Sequence, residues 1–233
     1  MGRMDQTLLH AAALIIPLVI AIVFHEVSHG WVAGMLGDPT AAEQRRLSLN
    51  PLRHVDPMGT VILPGFLALA SLPVFGWAKP VPVNHRRLRN PRRDMMLVAA
   101  AGPGSNLVMA AIASALFGVL MRPYVNGAEP GAVMAFVAQN LNNFVLINIF
   151  LAFFNLLPIP PFDGSHIVEG LLPRSAARVY AKVRPFGFPL VFLVLLVLPW
   201  LFPQWDIVGW LVIPPVEWLA SQFNVIAEVF AGN

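Results

Sequence analysis

From Met95 to Met121 the chain carries no charged side chain, and from Gly131 to Leu157 it carries none again. Runs of that length and apolarity leave few folds open. Inside a bilayer every backbone N–H and C=O must find its partner within the protein, so a long apolar run becomes a helix. Three more apolar stretches cover about residues 8–35, 186–202 and 207–229. Only 12% of the residues are charged, against about 25% in a soluble domain, and the mean hydropathy is +0.69. There is too little polar material to coat a water-exposed globule. The expected fold is an all-α polytopic membrane protein, a bundle of about five transmembrane segments forming one membrane-embedded domain over residues 1–233.

Between the first two spans lies a long loop, 36–93, that holds nine of the fifteen Lys and Arg: Arg45, Arg46, Arg53, Lys79, Arg86, Arg87, Arg89, Arg92 and Arg93. A pI near 10 would suit nucleic acid, but basic residues gathered beside a span read as a topology signal and a contact to anionic lipid. No nucleic-acid partner is expected. The loop after the second span has Arg122 alone, and the one after the third has Arg174, Arg178, Lys182 and Arg184. The alternation places the basic loops in the cytoplasm and the N-terminus outside. Within the loop, Val61-Ile62-Leu63 and Val81-Pro82-Val83 read as short strands, a small membrane-associated β element. With no cysteine, disulfides and thiolate metal sites are excluded.

His25-Glu26-Val27-Ser28-His29 lies inside the first apolar run. Two histidines four apart share one helix face and can hold one Zn²⁺, with the glutamate beside them placed to act on water. Ionisable groups are costly within a span and are usually functional there. A hydrolytic zinc site needs three protein ligands. Asp163, the only acid between Glu129 and Glu169, follows the third span on the same side of the membrane as His25 and His29 in the derived topology. It is the candidate third ligand.

The motif His25-Glu26-Val27-Ser28-His29, the run Ala101-Gly102-Pro103-Gly104-Ser105-Asn106, and Asn155-Leu-Leu-Pro158 leading to Asp163-Gly164 together resemble the site-2 protease family of intramembrane zinc metalloproteases. The likeness is to the compact prokaryotic branch without PDZ or CBS domains, and it extends to Leu49-Asn50-Pro51-Leu52 and Gly76-Trp77-Ala78-Lys79-Pro80-Val81. The resemblance implies one zinc per chain on His25, His29 and Asp163, with Glu26 as general base. It also implies that Asn155 positions the substrate carbonyl or steadies the oxyanion. Implied partners are membrane proteins with a transmembrane helix and the lipid bilayer of a bacterial or archaeal cell, with the active site towards the cytoplasm. The substrate's identity and the oligomeric state are not implied. Phe162 stands where many members have Leu.

A helical substrate must unwind before hydrolysis, and an extended edge at Trp77 to Val83 would let it pair, with Trp77, Val81 and Val83 as contacts. Asn106 is expected as helix glue or as site support in equal measure, and Asn148 mainly as glue. Gly102 and Gly104 are expected as close-packing positions. His54 and His85 read as solvated loop residues, and His166 as a residue near Asp163. The competing function is a membrane zinc transporter using the His-Glu-x-x-His helix as an ion site. The spans 95–121 and 131–157 contain no His, Asp or Glu to carry an ion onward.

Overall fold

A computed structural model describes residues 3–69, 76–125, 127–202 and 204–232. Among them three helices are long and apolar enough to cross a membrane: α1 (Arg3–Met35), α2 (Pro91–Met121) and α3 (Ala132–Asn155). After them come α4 (Asp163–Leu171), α5 (Arg174–Tyr180), α6 (Arg184–Phe192) and α7 (Ile213–Ala231). The protein is a membrane protein, and among the described residues its regular structure is helical throughout.

About five spans and a β element were expected; among the described residues three helices can span and no strand forms. The stretch 186–202 is split into α6, a widened π turn at Leu193–Val197 and a short helix Leu198–Leu201. Pro189 and Pro199 sit in these pieces, each lacking the N–H that a continuous helix needs. Residues 207–229 form a short helix, Ile207–Leu211, and then α7. Pro214 and Pro215 stand in the first turn of α7, where a missing N–H costs nothing, so they start the helix and do not break it.

Among the described residues there is no strand. Val61 and Ile62 belong to a π helix, Pro57–Ile62, and Leu63 opens the helix Leu63–Leu69. Residues 76–84 are extended but unladdered. The reason is Pro80 and Pro82, which remove alternate N–H donors along one edge.

Helices α1 and α3 run parallel and touch, with α2 antiparallel and packed against both. His10 meets Gln139 near one end and Ala13 meets Asn143, while His25 meets Asn106 nearer the other. Pro17 lies inside α1 and leaves the carbonyl of Ala13 without its helical donor. The Asn143 side-chain amide donates to that carbonyl at 2.8 Å, so the bundle repairs the gap. The apolar core lies where α2, α3 and α7 meet, with Ala110, Ala113, Val145, Ile149, Val216 and Phe223 at its centre. Small residues let these helices approach closely: a Cβ on Gly118 would run into the carbonyl of Ala227 on α7.

Candidate metal centre

His25 and His29 fall on the face of α1 that meets the first half of α2. Gly102 makes room for them: a Cβ there would lie 2.5 Å from the His29 imidazole and 2.6 Å from that of His25. Gly102 is therefore more than a packing residue. It forms one wall of the site, while Gly104 faces nothing within 4 Å.

The hydrogen bonds fix the tautomers. His29 Nδ1 lies 2.7 Å from the carbonyl oxygen of Val98; a carbonyl only accepts, so Nδ1 carries the proton. His25 Nδ1 lies 2.6 Å from Asn106 Oδ1. The orientation of Asn106 is set from the other side, since its Nδ2 donates to the carbonyl of Ala21 at 3.4 Å and to Asn148 Oδ1 at 2.7 Å. Asn148 Nδ2 in turn donates to the carbonyl of Phe144 at 2.7 Å. Both asparagines are completely buried. A directional chain thus runs from α3 through α2 to His25, and with Nδ1 engaged both His25 and His29 turn Nε2 towards the same point.

Those two nitrogens and Asp163 Oδ2 converge. His25 Nε2 and His29 Nε2 are 3.1 Å apart, and they lie 3.1 and 3.3 Å from Asp163 Oδ2. Asp163 opens α4, and Gly164 allows it by packing without a Cβ against the carbonyl of Leu156. Oδ2 is buried and has no hydrogen-bond partner, because neither separation has hydrogen-bond geometry. Burial raises the Asp163 carboxyl, but the two imidazoles facing it outweigh that and bring it down to about 2, so the group is a carboxylate. Two ring nitrogens and one carboxylate oxygen crowd one point. A tetrahedral zinc with bonds of about 2.0–2.1 Å has edges of about 3.3–3.4 Å, close to the sides of this triangle. The residues fit zinc. Among the described residues these are the ones whose ligand atoms gather in this way.

Glu26 is half-buried beside them, and its Oε2 accepts the backbone N–H of Val81 at 2.8 Å. The 76–84 segment is thereby fastened over the site. Alternate amides along it are engaged: Trp77 donates to the carbonyl of Gly59 at 3.1 Å, Lys79 to that of His54 at 2.8 Å, and Val81 to Glu26. Val81 is buried, lying where a Cβ on Gly30 would touch it, and Val83 packs on Ala33, Leu88 and Val98. Trp77 stacks edge-on with Phe188 at 5.3 Å and lines an apolar cavity with Met58, Phe66 and Phe192. Asn155 ends α3, where its amide donates to the carbonyl of Leu151 at 3.0 Å.

The chain's resemblance is borne out by sequence comparison. Residues 128–198 match the model of peptidase family M50. A Bacillus subtilis (strain 168) protein named "Putative zinc metalloprotease YwhC" is 41% identical over 190 residues, covering 80% of each chain. The chain belongs to peptidase family M50. "Putative zinc metalloprotease Rip2" of Mycobacterium tuberculosis (strain ATCC 25618 / H37Rv) is 31% identical over 216 residues, 90% of this chain and 78% of the relative. No solved structure matches. As an M50 member the protein is a zinc metalloprotease of the site-2 type, acting on protein substrates.

Other residues depart from expectation. His54 is buried, with Nε2 donating to the carbonyl of Ser48 at 2.8 Å, whereas a solvated side chain was expected; its backbone carbonyl anchors Lys79. His85 is exposed, as expected. His166 faces Arg184 at 3.3 Å, and burial and that cation both lower its pKa. Asn148 stands out in the sequence only as lying one heptad before Asn155, which suggests helix glue. Only contact with Asn106 makes it part of the site.

Proposed function

We propose that this protein hydrolyses peptide bonds within or next to transmembrane helices of substrate proteins, at one zinc site made by His25, His29 and Asp163. The observation that carries the reading is the convergence of two Nε2 atoms and one carboxylate oxygen, at 3.1 to 3.3 Å from one another, within a helix bundle. Bound zinc supplies Lewis acidity, acidifying water and polarising a carbonyl. Asn106 and the Val98 carbonyl hold the Nδ1 protons and so keep both rings in the ligating tautomer. Glu26, steadied at Oε2 by the Val81 amide, takes the proton of the attacking water at Oε1 and returns it to the leaving amine nitrogen. Asn155 steadies the developing oxyanion, a role carried over from the family resemblance. Of Trp77, Val81 and Val83, Trp77 is the one whose ring is open to substrate; Val81 serves through its amide on Glu26. The whole chain acts as one multi-pass membrane domain, with the site towards the cytoplasm.

The test is Glu26→Gln, assayed for zinc content and for cleavage of a model substrate with one destabilised transmembrane helix. The expected result is unchanged zinc with cleavage reduced by about 10²–10⁴-fold. Wild-type protein that binds zinc, cleaves no such helix and lets zinc into liposomes would instead be a transporter.

A further inference from the structure

Away from the metal centre, a cavity of about 270 Å³ opens between α2, α4 and α5. Arg92 from the first turn of α2, and Arg174 and Arg178 from α5, line it, with Ala177 and Ala181 as apolar wall. The one acid there, Glu169 on α4, is already spent: its carboxylate pairs with Arg184, a guanidinium from outside the lining. Arg92 is held in place by two donors, Nε and a terminal nitrogen, on the backbone carbonyl of Glu169 at 3.3 and 3.1 Å. Arg174 and Arg178 lie four apart, on one face of their helix, where like charges repel. Three guanidinium groups therefore face a cavity without a carboxylate available to balance them.

We propose that Arg92, Arg174 and Arg178 bind the phosphodiester of an anionic phospholipid. Position selects this ligand. Arg92 is the second residue of the membrane-crossing stretch Pro91–Tyr124, at the level where headgroups lie. The combination of cations with an alanine wall suits a phosphate that continues into glycerol and acyl chain. The bound anion draws α2, α4 and α5 together. Helix α4 carries Glu169 at this cavity and Asp163 at its start, six residues and about 9 Å away, so the lipid braces the helix that presents the third metal ligand.

The test is lipid retention, measured by native mass spectrometry on the full-length protein in micelles containing equal phosphatidylglycerol and phosphatidylcholine. The wild type is expected to keep phosphatidylglycerol, and Arg174→Gln/Arg178→Gln to lower its retention about 30-fold, as two lost cation contacts predict. Arg86→Gln/Arg93→Gln removes the same charge outside the cavity lining, where lipid contact is diffuse, and is expected to lower retention far less. Equal loss in both double variants would overturn the site in favour of diffuse surface charge. Full displacement of the lipid by millimolar inorganic phosphate would overturn the lipid assignment in favour of a free anion. Should the glutamine pair not fold, Arg174→Lys/Arg178→Lys retains charge without the bidentate fork and is expected to bind at an intermediate level; wild-type binding by that pair would overturn the proposal of a guanidinium-specific site. None of these readouts depends on proteolysis.

Discussion

The two halves of α2 solve opposite problems. Its first half, Val98 to Asn106, meets α1 through a polar seam: a carbonyl on His29, a side-chain amide on His25, and a glycine where a methyl group has no room. Its second half, Ala110 to Gly118, meets α3 and α7 through apolar packing around Ile149 and Phe223. The seam depends on direction, because each donor has one acceptor and a lost partner leaves a buried group unsatisfied. The core depends on volume, and volume tolerates small changes. Substitutions in the first half should therefore alter zinc binding, and those in the second half should alter stability alone.

The largest effect expected is from Gly102→Ala. Its methyl would displace both imidazoles, so zinc affinity measured by chelator competition should fall at least about 100-fold, the upper end for losing a supporting contact. Gly104→Ala, two residues on and facing nothing, should leave affinity and stability unchanged; matching losses in the two would break the comparison. Asn106→Leu removes the acceptor for His25 Nδ1 and should lower affinity about 10–100-fold. Asn148→Leu, one link further away, should cost less, and a double-mutant cycle should give a coupling well above zero if the chain acts as a unit.

In the apolar half, Ile149→Val should lower unfolding stability by about 0.5–1.5 kcal/mol with zinc affinity per folded molecule unchanged. The smallest effect concerns the segment that covers the site. Asp38 is buried and accepts the Thr40 hydroxyl, the Thr40 amide and the Asn84 amide. Burial raises its pKa, but these donors and Arg87 outweigh it, so the folded value lies below 3.8. A depressed acid contributes stability above its unfolded pKa, and that contribution is lost as pH falls through the lower folded value. Asp38→Asn should thus flatten the fall in thermal midpoint between about pH 5 and pH 3; an unaltered slope would assign acid sensitivity to other groups.

Legibility followed the range of the interaction. The pair His25 and His29 is readable because one helical turn sets their spacing, and Asp163 because charge bias put it on the same side of the membrane. The three long helices were legible from uninterrupted apolarity. The reading of 61–63 and 81–83 as strands failed because local β-branched composition says nothing of a partner, and Pro80 and Pro82 spoil the edge. The count of about five spans is not supported because hydropathy ignores what Pro189 and Pro199 do to the backbone, and residues 207–229, open in the sequence between a span and a re-entrant helix, are broken before α7.

By itself the sequence determined membrane residence, the zinc-type motif and the candidate third ligand, since each rests on residue type and short spacing. Tertiary structure decided what no local pattern holds. Asn106 faces His25 with its oxygen because Ala21 and Asn148 occupy its nitrogen, Gly102 is a wall of the site, and Val81 gives its amide to Glu26. These contacts join residues about 40 to 80 positions apart. Only helix packing brings such partners within hydrogen-bond reach.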